Sequence, residues 1–187
     1  MLKEHIQRKS NRLESFDYSQ NCYYFVTICT KDKISYFGEI SKDGKMVLND
    51  CGEIVYEQWV WLSKQYKYVF LDEFVVVPNH FHGILIINDS TDVEAGRDLP
   101  EFKGTSYDMS LQKNIKIKSL SELIGAFKTA SSKQIRNNLG LAEFQWQRSF
   151  YDHIIRTEQS LIKIREYIQN NPAKWHLDKY NYENLYE

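Results

Sequence analysis

His80 and His82, separated only by Phe81, are the densest chemistry in the chain. They sit between two runs rich in Val and Ile, at 74–77 and 83–87, and runs of that composition form buried strands. Side chains alternate along a strand, so the two imidazoles project from one face and Phe81 from the other. Two imidazoles that close, beside an apolar strand, make half of a metal site. A second pair lies far downstream. Tyr167 and Asn171 are four residues apart, a spacing that shares one helix face. An Asn oxygen is a hard ligand suited to Mg²⁺ or Mn²⁺. A phenol, with an ordinary pKa near 10, is a weak nucleophile at neutral pH. A divalent cation that polarises a phosphate, helped by Lys163 one turn earlier, would compensate.

These side chains need elements to hold them. Tyr23-Tyr24-Phe25-Val26-Thr27-Ile28-Cys29-Thr30 reads as a strand from its β-branched and aromatic content. A hairpin follows, over 36–40 and 45–48, turning at Asp43-Gly44. Asn49 or Asp50 caps a helix to about Gln65, with Ile54, Val55, Trp59 and Leu62 at helical spacing. Two strands then flank Pro78-Asn79, the second carrying the histidines. A helix from Ser119 or Ser121 runs through Leu120, Leu123, Ile124, Phe127 and Ile135 and stops near Gly140, a residue placed for a C-cap. Residues 144–156 are aromatic and mixed, with no clear period. A last helix starts at Thr157, carries Leu161, Ile164 and Ile168, and ends near Asn171, because Pro172 disfavours helix at the residue before it. Strands and helices in that order predict an α+β fold, a sheet with helices packed on it.

Composition bounds the function. The chain of 187 residues is of single-domain size, 42% hydrophobic and 26% charged, as in soluble globular proteins. No apolar run approaches membrane-spanning length, and the first residues lack the apolar centre of a signal peptide. Cys22, Cys29 and Cys51 are odd in number with no Cys-x-x-Cys spacing, which predicts reduced thiols in a cytoplasm. The net charge of −1 is uninformative, but its distribution is not. Residues 1–20 form a basic arm with Arg8, Lys9 and Arg12, and 113–136 carry six cations against Glu122 alone. Residues 89–118 read as a loop or insertion, acidic in its first part. Basic stripes of this kind, with aromatics available for stacking, suit nucleic acid; a solvated helix face would look the same.

The segments Val77-Pro78-Asn79-His80-Phe81-His82, Trp146-Gln147, Tyr151-Asp152-His153-Ile154-Ile155-Arg156 and Glu166-Tyr167-Ile168-Gln169-Asn170-Asn171-Pro172, in that order, resemble the single-tyrosine HUH transposases. The branch they resemble is that of the REP-associated tyrosine transposases, relatives of the insertion-sequence-200 type. Asp17-Tyr18 and the strand after it resemble the same branch, so the likeness runs from about residue 8 to 175. It implies a ferredoxin-like antiparallel sheet with His-x-His on a central strand, in a single catalytic domain over 1–187. It also implies His80 and His82 as metal ligands, Asn171 as the third ligand, Tyr167 as nucleophile, and Mg²⁺ or Mn²⁺ as cofactor. The implied reaction is nicking and strand transfer of single-stranded DNA beside short hairpins, through a 5′-phosphotyrosine link. It needs no ATP and no membrane, and is carried out by a monomer or homodimer in the cytoplasm, at the nucleoid. Arg8, Lys9, Arg12, Lys128, Lys133, Arg136, Arg156 and Lys163 are the expected DNA contacts. Two alternatives stand beside this. One is a DNA-binding module with an inactive or repurposed site. The other is an unrelated metallohydrolase that adds Asp72 or Glu73 to the histidines.

Overall fold

The computed structural model describes residues 15–89 and 116–181. Arg8, Lys9 and Arg12, and nearly all of the 89–118 loop, lie outside them. β1 (Cys22–Cys29) is buried along almost its whole length and is the spine of the fold. A small hairpin, β2 (Gly38–Ile40) and β3 (Met46–Leu48), leads into α1 (Asp50–Gln65), where Asn49 accepts from the Gly52 N–H as N-cap. β4 (Val69–Val77) and β5 (His80–Ile87) follow. α2 (Leu120–Leu139) begins at a capping box between Ser119 and Glu122 and ends at Gly140, in the left-handed conformation at φ 69°. β6 (Tyr151–Ile155) and α3 (Glu158–Asn170), capped by Thr157, complete the order.

The sheet order is β4-β5-β1-β6, and every neighbouring pair is antiparallel. Leaving the small hairpin aside, the chain runs strand-helix-strand-strand-helix-strand, the ferredoxin-like α+β arrangement. β5 lies in the middle, paired to β1 on one side and β4 on the other. The two faces differ. Phe81, Leu85 and Ile87 point into a large core with α1 and α2, where Phe81 packs 4.5 Å from Trp59 and 5.6 Å from Phe127, centroid to centroid. Removing that ring should cost about 3–5 kcal/mol. Gly83 makes the packing possible, since a Cβ there would meet the Phe81 ring at 2.7 Å and Trp59 at 3.0 Å. On the other face Ile84 joins Phe25, Ile155, Leu161 and Ile168 in a small cluster under α3. By strand alternation His80 and His82 share that second face.

The stretch before β6 is sewn in from several sides. Lys31 N donates to Gln145 O (2.8 Å), Gln147 N to Cys29 O (2.9 Å), and the Trp146 indole to Ser131 Oγ (3.0 Å). Cys22, Cys29 and Cys51 are buried and unpaired. Among the described residues no helix is long and apolar enough to cross a membrane.

Candidate metal and nucleophile site

β5 starts directly after the turn at Pro78-Asn79, with Val77 opposite His80. Asn79 is fully buried, and its partners fix the first ligand. Its Nδ2 donates to Lys33 O (2.9 Å) and Tyr180 O (2.8 Å), which leaves Oδ1 as the acceptor 2.8 Å from His80 Nδ1. His80 Nδ1 therefore carries the proton, and Nε2 presents its lone pair. His82 stands opposite Thr27 of β1, whose Oγ1 lies 2.8 Å from His82 Nδ1. The two Nε2 atoms face each other at 2.9 Å, with the rings crossed at 82°. Two nitrogens bound at right angles to one ion, each at about 2.1 Å, lie about 3 Å apart. Outer partners on both Nδ1 atoms are the usual means of aiming imidazole ligands.

The third group is Asp178. Its carboxylate Oδ2 lies 3.9 Å from His80 Nε2, and ligand atoms of His80, His82 and Asp178 all fall within 4.8 Å of one another. All three residues are buried. The chain delivers Asp178 by stopping α3 at Asn170 and running Pro172–Leu177 as a tight 3₁₀ turn. Asn171 Nδ2 then donates to Asp178 Oδ2 (2.8 Å), and Tyr180 N to Oδ1 (2.7 Å). Trp175 stacks on His80 at 5.7 Å, and Tyr180 lies 4.9 Å from the same ring. Asn171 Oδ1 is buried and has no hydrogen-bond partner among the described residues. An orphaned acceptor beside two imidazoles and a carboxylate is what a cation site offers. Burial, with Lys33 and Lys179 nearby, takes the His80 pKa down to about 3. Burial and the His80 charge hold His82 well below its usual value. Both rings are thus neutral, the ligand form, at pH 7.

The Tyr167 hydroxyl lies 3.2 Å from His82 Nε2. Its ring meets Phe25 edge-on at 6.1 Å, and the residue is 43% exposed. Burial pushes its phenol up to about 12, Asp178 and Tyr180 adding to this and the Asn171 amide opposing it. α3 is anchored by Leu161 and Ile168 in the small cluster and by Arg165, which grips both carboxylate oxygens of Asp72 on β4. Burial raises the Asp72 pKa, but the Arg165 and Glu73 hydrogen bonds outweigh it and the net shift is downward. That carboxylate is committed to Arg165, which removes the support for Asp72 as a ligand.

His80, His82, Tyr167 and Asn171 are therefore brought together. His82, Tyr167, Asn171 and Asp178 line a cleft of about 660 Å³, with Lys163 among its walls. The basic residues divide. Lys128 Nζ donates to the carbonyls of Gln147 (2.8 Å) and Ser149 (3.0 Å), with Arg148 O at 3.5 Å. Burial brings its pKa down to about 8. Expected as a DNA contact, Lys128 turns all three of its donors toward backbone oxygens. Arg136 spends Nε and Nη2 on Phe144 O. Lys133 is exposed and lines, with Arg136 and Arg148, a second groove of about 550 Å³. Arg156 is exposed just past β6. Sequence reasoning missed Asp178, Asn79 and Thr27. For Asp178 the available signal was an acidic residue seven positions after Asn171, but nothing periodic connects the two.

No protein-family model matches the chain. An uncharacterized protein of Haemophilus influenzae is 36% identical over 179 residues, which is 92% of each chain. A solved structure of a REP-associated tyrosine transposase bound to a REP hairpin matches 91% of this chain and 76% of its own, with TM-score 0.55 and 17% identity. At that identity the likeness speaks for the fold.

Proposed function

We propose that this chain, which belongs to one family with the Haemophilus influenzae protein and has the fold of the REP-associated tyrosine transposases, is a metal-dependent transposase that nicks and rejoins single-stranded DNA beside short hairpins. One observation carries the reading. The Tyr167 hydroxyl sits 3.2 Å from His82 Nε2, at the mouth of a buried His80–His82–Asp178 cluster. His80 Nε2, His82 Nε2 and the Asp178 carboxylate would hold a divalent cation, Mn²⁺ more readily than Mg²⁺ because imidazole suits the former better. Such a cation supplies Lewis-acid polarisation of a scissile phosphate.

The remaining work belongs to the chain. α3 holds the phenol at a fixed distance from the histidines, which converts attack into a step between prepositioned groups. The Tyr167 oxygen bonds to phosphorus as the bond to the 3′-oxygen breaks. The phenol loses its proton and the departing oxygen gains one. The products are a 5′-phosphotyrosine link and a free 3′-hydroxyl, and the same hydroxyl or another can reverse the step without ATP. A phenol pushed up to about 12 is neutral before DNA arrives, so it attacks only when its proton has somewhere to go. Lys163 in the cleft wall and Lys133 in the second groove are the cations best placed to hold the phosphate backbone.

The test is adduct formation. Wild type with Mn²⁺ and hairpin-flanked single strands, labelled 3′ of the cut, should give a denaturation-resistant protein–DNA band. Tyr167→Phe removes one oxygen and keeps the ring, so it should bind the same DNA and give no band. Adduct in Tyr167→Phe but not in Tyr151→Phe would move the nucleophile to Tyr151. Binding without any adduct from wild type would favour the inactive or repurposed binding module.

A further inference from the structure

Tyr151 is 46% exposed, unusual for so large a ring beside a buried centre. It is the first residue of β6, an edge strand. The register sets Tyr151 opposite Thr27 and His153 opposite Phe25, while Thr27 is also the partner of His82. Tyr151 and His153 therefore share the sheet face that carries the metal cluster. Phe25 bridges the two regions. Its ring stacks on His82 at 5.6 Å, and meets Tyr167 at 6.1 Å and Tyr151 at 6.4 Å, both edge-on. Tyr151 is thus one ring away from the Tyr167 phenol, and among the described residues the hydrogen bonds of the two histidines go elsewhere. It is badly placed to be the nucleophile and well placed to be a wall.

An exposed aromatic on an edge strand commonly does no more than guard the edge. Three features here point further. Tyr151 and His153 line the same cleft as Tyr167, rather than facing away from it. The cleft, at about 660 Å³, is of a size that takes a nucleotide rather than a water or an ion. Its rim carries Lys163, Lys174 and Lys179, all exposed. Flat aromatic faces inside a ring of cations match an unpaired base with its phosphates outside.

We infer that Tyr151, backed by Phe25 and flanked by His153, is a stacking platform for the unpaired base next to the scissile phosphate. This rests on the proposed nicking of single-stranded DNA and adds a specificity site to it. Stacking on an aromatic face tolerates any base in some measure. The platform therefore fixes where the strand lies against Tyr167 more than which base is read.

The test separates platform from nuclease by reading binding and adduct independently. Equilibrium binding of hairpin-flanked single strands is measured by fluorescence anisotropy on the Tyr167→Phe protein. The strands carry an abasic site at each position around the cut in turn. Tyr151→Leu, which keeps bulk but loses the π-face, should weaken binding about tenfold, whereas Tyr151→Trp should hold or improve it. One abasic position should cost the parent protein the same factor and cost the Tyr151→Leu protein nothing more. Equal affinity of Tyr151→Leu and parent, or a Tyr151→Leu loss that multiplies with every abasic position, overturns the platform. If wild type forms no adduct while these binding results hold, the nicking reading fails and the platform stands.

Discussion

Asp178→Ala should weaken divalent-cation binding more than Asn171→Ala does. The carboxylate is the charged member of the buried cluster, while the Asn171 amide donates to it through Nδ2 at 2.8 Å. Removing a ligand should cost more than about 100-fold in Mn²⁺ affinity, and loosening the group that aims it about tenfold. Calorimetric titration of Mn²⁺ into the two variants checks the order. A larger loss in Asn171→Ala would return the third ligand to the amide, whose Oδ1 is orphaned. The sequence made His80, His82 and Tyr167 visible because each lies on a regular element, and Asn171 because, as the C-cap of α3, it keeps the helical backbone that puts it one turn beyond Tyr167. Asp178 follows a 3₁₀ turn that begins at Pro172. Its place depends on long-range contacts such as Asn79 Nδ2 to Tyr180 O, and no local pattern encodes those.

The elements themselves were nearly all legible: of the caps the sequence allows, α1 uses Asn49 rather than Asp50, α2 uses Ser119 rather than Ser121, and α3 begins at Thr157. β6 was not. Tyr-Asp-His-Ile-Ile is a short mixed run, and it becomes a strand by pairing with β1 after the Trp146 region has been tied down. Lys128 belongs to that tie. Sequence placed it with the DNA-binding cations, but its ammonium holds α2 against the carbonyls of Gln147 and Ser149. Lys128→Ala should therefore lower the unfolding free energy by about 1.5–3 kcal/mol, the range for hydrogen bonds to a charged group. It should leave the salt dependence of DNA binding unchanged. Lys133→Ala, on an exposed position in the second groove, should do the reverse, flattening the log–log salt slope by about 0.7–0.9. Urea unfolding and salt titrations on the two variants decide, and a flattened slope in Lys128→Ala would restore that lysine to the DNA surface.

The whole molecule is asymmetric across its sheet: α1 and α2 cover the large core, while α3 rests on a cluster of five buried residues, Phe25, Ile84, Ile155, Leu161 and Ile168. The two neutral histidines are buried on that thinner side, so acid should loosen the molecule there. The folded-state pKa of His80 is near 3, against an ordinary 6.5, and that of His82 is also well below 6.5. Between those values the unfolded chain binds protons that the folded chain refuses, so folding stability rises with pH across the window and falls as pH drops through it. The loss begins near pH 6.5, above the range where carboxylates titrate. Asp72, whose pKa is lowered beside Arg165, contributes only at more acid pH. The urea midpoint should therefore fall steadily from pH 6.5 to about 5. His80→Asn, whose amide keeps a donor toward Asn79 at the place of Nδ1, should flatten that fall. Saturating Mn²⁺ should raise the midpoint across this whole window and lose its effect only toward pH 3, where the folded His80 takes a proton that competes with the cation. A midpoint independent of pH over that window in wild type would mean that the histidines are not buried in neutral form, and the ligand geometry built on them would fall with it.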